Sequence, residues 1–211
     1  MNKEEFYEAI KELGINLDEI QKEKLHKFYQ ILIEENQKIN LTRITEEEDV
    51  YLKHFYDSLT ITKEVDLTKV ETLCDVGTGA GFPGIVLKIV FPNLKITLID
   101  SLQKRVNYLN ETIKKLELTD IEAIHTRSED YKEQFDVVTA RAVANLEKLI
   151  NWCMHLVKIK GIFVAMKANV DEELNINDKV FSKNKCKIEK INKFLLPKEN
   201  SNRALIVLRK S

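Results

Sequence analysis

Two hydrophobic rhythms divide the chain. In residues 1–62 apolar positions recur at helical spacing. Leu25, Phe28, Tyr29, Leu32 and Ile33 stand at i, i+3, i+4, i+7 and i+8 among charged residues, one stripe turned toward a core. The polar stretch 37–42 should end that helix, and Thr45 with Glu48 has the spacing of a capping box for another helix reaching about Leu59. From Val70 the rhythm changes to short apolar runs of strand length at 70–76, 94–100, 121–125, 135–140 and 161–167. Helix-like stretches separate them, one marked by Val106, Leu109, Ile113 and Leu116. Such alternation predicts an α/β fold, a parallel sheet with helices on both faces. Residues 185–196 and 203–210 read instead as two strands joined through Pro197 and a polar turn, an antiparallel hairpin closing the sheet edge. Only the charged turn 63–69 separates the two rhythms. The expected organisation is therefore a helical extension, 1–62, packed on a core, 63–211.

Composition narrows the class. At 211 residues, 44% apolar and 32% charged, the chain has the make-up of a soluble globular protein able to fold without disulfide or metal. No apolar run approaches the ~18 residues of a membrane span, and the acidic start MNKEEFYEAI lacks the core of a signal peptide. Cys74, Cys153 and Cys186 are odd in number and far apart, with no CxxC pair and no metal-ligand spacing. A reducing, cytoplasmic setting without structural zinc is expected. The net charge of −1 conceals an asymmetry: residues 1–62 carry a net −6, 63–154 a net −2 and 155–211 a net +7. The basic last quarter is either a footprint for phosphates or an ordinary solvated face.

Glycine usage carries the sharpest chemical signal. Four of the six glycines, Gly77, Gly79, Gly81 and Gly84, follow the first strand within eight residues, where backbone must come close to a ligand. Asp75 ends that strand. A nucleotide pyrophosphate beside it would meet a carboxylate, whereas the ammonium and sulfonium of S-adenosylmethionine would meet opposite charge. Asp100 ends the second strand, where an acid can accept both ribose hydroxyls of an adenosyl group. A nucleotide-dependent oxidoreductase would want glycine at Phe82 and no acid at Asp75. An RNA-binding module with a decayed pocket would have lost one of these glycines or acids, and none is missing. His54, Asp57 and Ser58 are the residue types of a hydrolase triad, but they fall within five residues of one helix and no G-x-S-x-G elbow exists. Their expected role is to fasten the N-terminal helices over the cofactor mouth.

DVGTGAGFPG (75–84), LIDSLQKR (98–105), RSED (127–130) and FDVVTARAVA (135–144), preceded by NLT (40–42) and HFYDSL (54–59), resemble the RsmG (GidB) family of bacterial 16S ribosomal RNA guanine-N7 methyltransferases. The resemblance runs from about residue 20 to the C-terminal strand. It implies a class I, Rossmann-like methyltransferase with a mostly parallel seven-stranded sheet, S-adenosylmethionine as cofactor, and methylation of one guanine near the decoding centre. Methylation of another RNA is the alternative. By the same resemblance Gly77, Gly79 and Phe82 would line the methionine and adenosine pocket. Asp100 would take the ribose, Ser128 and Glu129 the adenine, and Arg141 would border cofactor and substrate. Lys167 and Arg203 are candidates to grip guanine O6 or flanking phosphates, Lys167 standing with Arg141 as the candidate catalytic residues. In the basic quarter Lys183, Lys185 and Lys187, two apart, would share one face of a strand and offer Lys185 and Lys187 to RNA. The expected partner is 16S rRNA or the 30S subunit, with no membrane and no metal, and the chain acting as a monomer.

Overall fold

The computed structural model describes residues 1–170 and 173–211. Helices α1 (Lys3–Lys11) and α2 (Glu19–Ile39) open the chain, both on capping boxes, Asn2 with Glu5 and Asp18 with Gln21. Asn40 ends α2 in the left-handed conformation, within the polar stretch expected to break it. The next helix starts differently from expectation. Thr45 forms no capping box with Glu48. Glu46 is the cap, without a side-chain bond, and the Thr45 carbonyl accepts from the Tyr29 hydroxyl at 3.4 Å. The run then passes through α3 (Glu47–Val50), a widened π-helical segment over Tyr51–Tyr56, and α4 (Asp57–Leu59).

Seven strands form one sheet: β1 (Thr72–Val76), β2 (Lys95–Asp100), β3 (Ile121–His125), β4 (Phe135–Arg141), β5 (Val157–Lys167), β6 (Cys186–Leu195) and β7 (Asn202–Lys210). Their order is β3-β2-β1-β4-β5-β7-β6. The first five are parallel, and β7 runs antiparallel to both β5 and β6. The parallel crossovers carry α5 (Gly84–Val90), α6 (Gln103–Lys115) and α7 (Leu146–Cys153), with α8 (Asp178–Asn184) ahead of the hairpin. Strand order reverses between β1 and β4, the switch point where the carboxyl ends of parallel strands diverge and leave a crevice.

The central strands β1, β2, β4 and β7 and the second half of β5 are buried on both faces, as near-continuous apolar strands require, whereas the edge strands β3 and β6 are mostly half-buried or exposed. One core layer joins Phe6, Leu25, Phe28, Leu32, Phe55 and Leu59 of the N-terminal helices to Ile85, Val86 and Leu109 of α5 and α6. The opposite layer joins Leu146, Leu149 and Ile150 of α7 to Val138, Phe163 and Ile206. Because the N-terminal helices share a core layer with α5 and α6, they are fixed relative to the crevice.

The basic quarter departs from the expected strand. Lys183 lies in α8, capped at its start by Asn177. Lys185 is the residue after that helix, with φ 48°, and β6 begins only at Cys186. A short helix end and a strand start both accept a run of alternating lysines, so spacing alone could not separate them. Within β6, Ile188 faces Leu208 and Lys190 faces Val207, leaving Glu189 as the extra residue of a bulge. The bulge puts Lys187 and Lys190 on one face. Lys190 is 2.8 Å from Glu64, whose side chain is only 3% exposed, so it serves a buried acid.

Candidate functional site

The glycine loop is shaped by one acid from below and one from beside it. Asp75 is fully buried, its Oδ2 accepting from the Thr78 hydroxyl at 2.6 Å and the Gly84 amide at 2.8 Å. Burial pushes its pKa up to about 6. A side chain at Gly84 would meet Leu98 Cδ2 at 2.2 Å and Asp75 Oδ2 at 2.9 Å, so only glycine allows this approach. Asp75 lines neither cavity described below. It is a loop-shaping residue and not the expected ionic partner of a bound ligand; the tight turn itself needs its oxygen as an acceptor. Asp100 takes the lateral position. Its Oδ2 accepts from the Gly79 amide at 3.0 Å and its Oδ1 from the Leu102 amide at 2.9 Å, with Arg105 at 3.5 Å.

Two cavities flank this loop and meet at Gly77. The first, about 280 Å³, is lined by Gly77, Asp100, Ser101, Ser128, Glu129 and Trp152 among others. Ser128, 6% exposed, donates to the Glu129 carboxylate at 2.9 Å. The second, about 410 Å³, is bounded by Gly77–Gly79 and Phe82 on one side and by His54, Asp57, Arg141 and Arg203 on the other. Gly77 sits at φ 67°, and a side chain there would strike Val143 at 2.7 Å, so only glycine lets Val143 pack against the loop where the two cavities adjoin.

The second cavity is walled by a charge network built from three segments. The Arg141 guanidinium, at the end of β4, donates to the Asp57 carboxylate at 3.0 Å and to the Lys53 carbonyl at 3.0 Å. The π-helical segment explains the second bond: the Asp57 amide bonds to the carbonyls of Leu52 and His54, passing over Lys53. Arg141 also reaches His54 Nδ1 at 3.2 Å. A guanidinium can only donate, so Nδ1 is the acceptor and Nε2 carries the proton, which it gives to the Thr42 hydroxyl 2.9 Å away. Burial and the Arg141 charge hold His54 far below its ordinary pKa, at about 3, so it is neutral. Its ring stacks on Phe82 at 4.4 Å between centroids. Asp57, 6% exposed, has its other oxygen bonded by Arg203 Nε at 2.9 Å. Two arginines share one carboxylate, so the mouth retains a surplus positive charge.

Lys167 lines this cavity, yet its ammonium donates to the Ala144 carbonyl at 2.6 Å and pairs with Glu173 at 2.8 Å. Glu173 in turn accepts from the Leu146 amide at 2.7 Å, so Lys167 holds the loop between β4 and α7. Gly77, Gly79, Phe82, Arg141, Lys167 and Arg203 thus lie around one cavity; Gly77, Asp100, Ser128 and Glu129 lie around the other. Lys185 and Lys187 line neither. Sequence reasoning did not single out Val143 or Arg105, nor give Trp152 a wall in the pocket. Trp152, the residue before the buried Cys153 at the end of α7, offered no signal beyond being the lone tryptophan.

The chain matches the family described as GidB, rRNA small subunit methyltransferase G, over residues 21–203. It is 46% identical to the Ribosomal RNA small subunit methyltransferase G of Oceanobacillus iheyensis over 217 aligned positions, covering 100% of this chain and 91% of that protein. The corresponding protein of Bacillus subtilis shows the same identity and coverage. The chain belongs to this family. As a GidB-family protein it also shares the fold of an S-adenosylmethionine-dependent methyltransferase from Aquifex aeolicus, with TM-score 0.57 at 18% identity over 77% of this chain and 93% of that one. The expected α/β sheet with an antiparallel C-terminal hairpin is the observed one. The cofactor of the fold fits the donor set. Asp100 accepts from Gly79 and Arg105 at Oδ2 and from Leu102 at Oδ1 and, as a carboxylate with about four acceptor sites, keeps capacity for a hydroxyl.

Proposed function

We propose that this protein transfers a methyl group from S-adenosylmethionine to N7 of a guanine in 16S rRNA. The observation that carries the reading is the pair of cavities that adjoin at Gly77, one lined by Asp100 and Ser128–Glu129, the other by a cationic mouth made by Arg141 and Arg203. When bound, S-adenosylmethionine supplies an electrophilic methyl group on a sulfonium. Asp100 would accept the ribose hydroxyls, Ser128 and Glu129 with Trp152 would enclose the adenine, and Gly77 and Gly79 would let backbone pass close to the cofactor.

Guanine N7 offers an in-plane lone pair and loses no proton, so the site needs no general base. The cavity agrees with that requirement. His54 is neutral and uses both ring nitrogens, Nδ1 toward Arg141 and Nε2 toward Thr42, leaving it no proton to take from a substrate. What the residues contribute is alignment and charge. Arg141, held by three partners, presents a fixed cation at the strand end, and Arg203 extends that field toward the RNA. Lys167 acts on the same site through the loop it holds. The lining residues of both cavities come from one copy of the chain, which supports a monomer as the working unit, and a ribosomal substrate supports a cytoplasmic setting. Among the described residues no helix is long and apolar enough to cross a membrane, and no group of three or more side chains could hold a metal ion.

The test is direct. Mapping 7-methylguanine in 16S rRNA from strains with and without the gene should show one methylated guanine that disappears with it, and the purified protein should restore the mark with S-adenosylmethionine. Trp152 fluorescence should respond to S-adenosylhomocysteine and not to NADH. An unchanged guanine pattern would overturn the proposed reaction.

A further inference from the structure

Beside the mouth of the second cavity lies a smaller one of about 240 Å³, bounded by the 168–170 turn after β5 and by the facing ends of β6 and β7. The two adjoin: Ala168, Phe194, Arg203 and Ala204 line both. Its remaining wall includes two amide side chains, Asn169 and Asn202, and Leu195, which is 53% exposed. The Phe194 ring is held on one side by the Lys63 ammonium, 5.2 Å from its centroid.

We propose that this side cavity holds the nucleotide adjacent to the target guanine in the RNA strand, and that it reads that nucleotide's base; the proposal rests on the RNA methyltransferase reading above. Three features support a nucleotide here. Aromatic and aliphatic surfaces beside amide groups are the means by which proteins hold splayed-out RNA bases, stacking on their faces and bonding to their edges. An Asn amide such as that of Asn202 carries both a donor and an acceptor, so it can distinguish base edges where a lysine could not. The wall between the two cavities is Arg203, anchored through Nε to Asp57 and through NH1 to the Asn202 carbonyl. The phosphate that links two consecutive nucleotides would lie over that wall. The surplus charge of two arginines on Asp57 is what a single phosphate needs.

Asn169, Leu195 and Asn202 line the side cavity and not the mouth, so they can be changed without touching Arg141, Asp100 or the glycine loop. The experiment measures kcat/KM for 16S rRNA transcripts, bare and assembled into 30S particles, carrying each of the four bases on either side of the target guanine. Wild type should prefer one base at one flank by roughly tenfold or more. The double variant Asn169→Ala/Asn202→Ala should lose that preference, and Leu195→Asp should lower kcat/KM for every base, with S-adenosylmethionine affinity and circular dichroism unchanged in both. A wild type without preference at either flank, or a double variant that keeps it, overturns the side cavity as a base-reading site and leaves the methyltransferase reading standing. A wild type that methylates no transcript and no particle overturns that reading, and the subsite with it.

Discussion

Around Arg141 each charged side chain is held by two or three partners, whereas along the start of β6 Lys185 and Lys187 stand exposed to solvent. Both regions are basic, but they act through different physics. In the first, low local dielectric makes every bond strong and every missing partner costly. In the second, charge acts through a field that salt screens within about 8 Å. Removing one group from the first region should collapse a structure; removing one from the second should only change a slope.

The largest effect is expected at Asp57. Its replacement by Ala leaves Arg141 and Arg203 facing each other at a mostly buried position without their shared anion, a loss of about 3 kcal/mol or more. Urea unfolding should show that loss, and methyl transfer should disappear. Asp57→Asn keeps acceptor geometry for one arginine and should fall between. If Asp57→Ala is as stable as wild type, the network is a set of solvated contacts like those of β6.

Two buried groups of the first region should give pH dependences of opposite sign. Asp75 has a folded pKa of about 6 against 3.8 for an ordinary aspartate, so between those values the folded chain binds more protons than the unfolded one. Stability from this group therefore falls as pH rises from about 4 to about 6, by about 3 kcal/mol in total. His54 runs the other way. Its folded pKa of about 3 lies below the usual 6.5, so the unfolded chain binds the extra proton and stability is lost as pH falls from about 6.5 toward 3. Unfolding curves across this range should show Asp75→Asn gaining on wild type as pH rises, and His54→Gln gaining on wild type as pH falls. Parallel curves would mean that neither group is buried as described.

Asp100 belongs to the first region by burial but has a ligand-facing share. Asp100→Ala removes a charged acceptor from two hydroxyls, and calorimetry should show S-adenosylmethionine affinity weakened by roughly tenfold or more with the fold intact. Because Asp100 also holds the Gly79 and Leu102 amides, one on each oxygen, Asp100→Asn keeps one of these backbone bonds while losing the other and the charge, and should fall between wild type and Asp100→Ala. Unchanged affinity in both variants would remove the ribose assignment.

The contrast between the regions also explains what could be read from residues alone. The strand–helix alternation, the glycine cluster and the acid closing β2 are local in sequence, and the chain folds them where their spacing puts them. Asp75 was legible as important but not in its role, because nothing in DVGTG tells whether a carboxylate points into a cavity or under the loop. HFYDSL showed its residue types without its geometry. His54 and Asp57 meet Arg141 from more than 80 positions away, and the π-helical segment that frees Lys53's carbonyl has no sequence signature. Thr45 and Glu48 had the spacing of a capping box, yet the chain begins the helix one residue later and gives Thr45's carbonyl to Tyr29. Local pattern carries elements; long-range partners decide which polar atoms they expose.

The smallest expected effect tests the exposed side of the comparison. Lys185 follows α8 and Lys187 starts the outer face of β6, both in solvent and outside the cavities. If they contact RNA, binding releases counterions and weakens with salt, each lost contact to a single strand changing the slope of log affinity against log salt by about 0.7. Lys185→Gln with Lys187→Gln should therefore flatten that slope by up to about 1.4. Lys190 must stay out of the variant, because its ammonium neutralises Glu64, and stranding that acid would confuse RNA affinity with stability. S-adenosylmethionine affinity should not move, since Gly77 and Asp100 lie at the far ends of other strands. A slope identical to wild type would assign these lysines to a solvated face and leave RNA docking to the Arg203 mouth and its side cavity, where the charge is fewer in number but fixed in place.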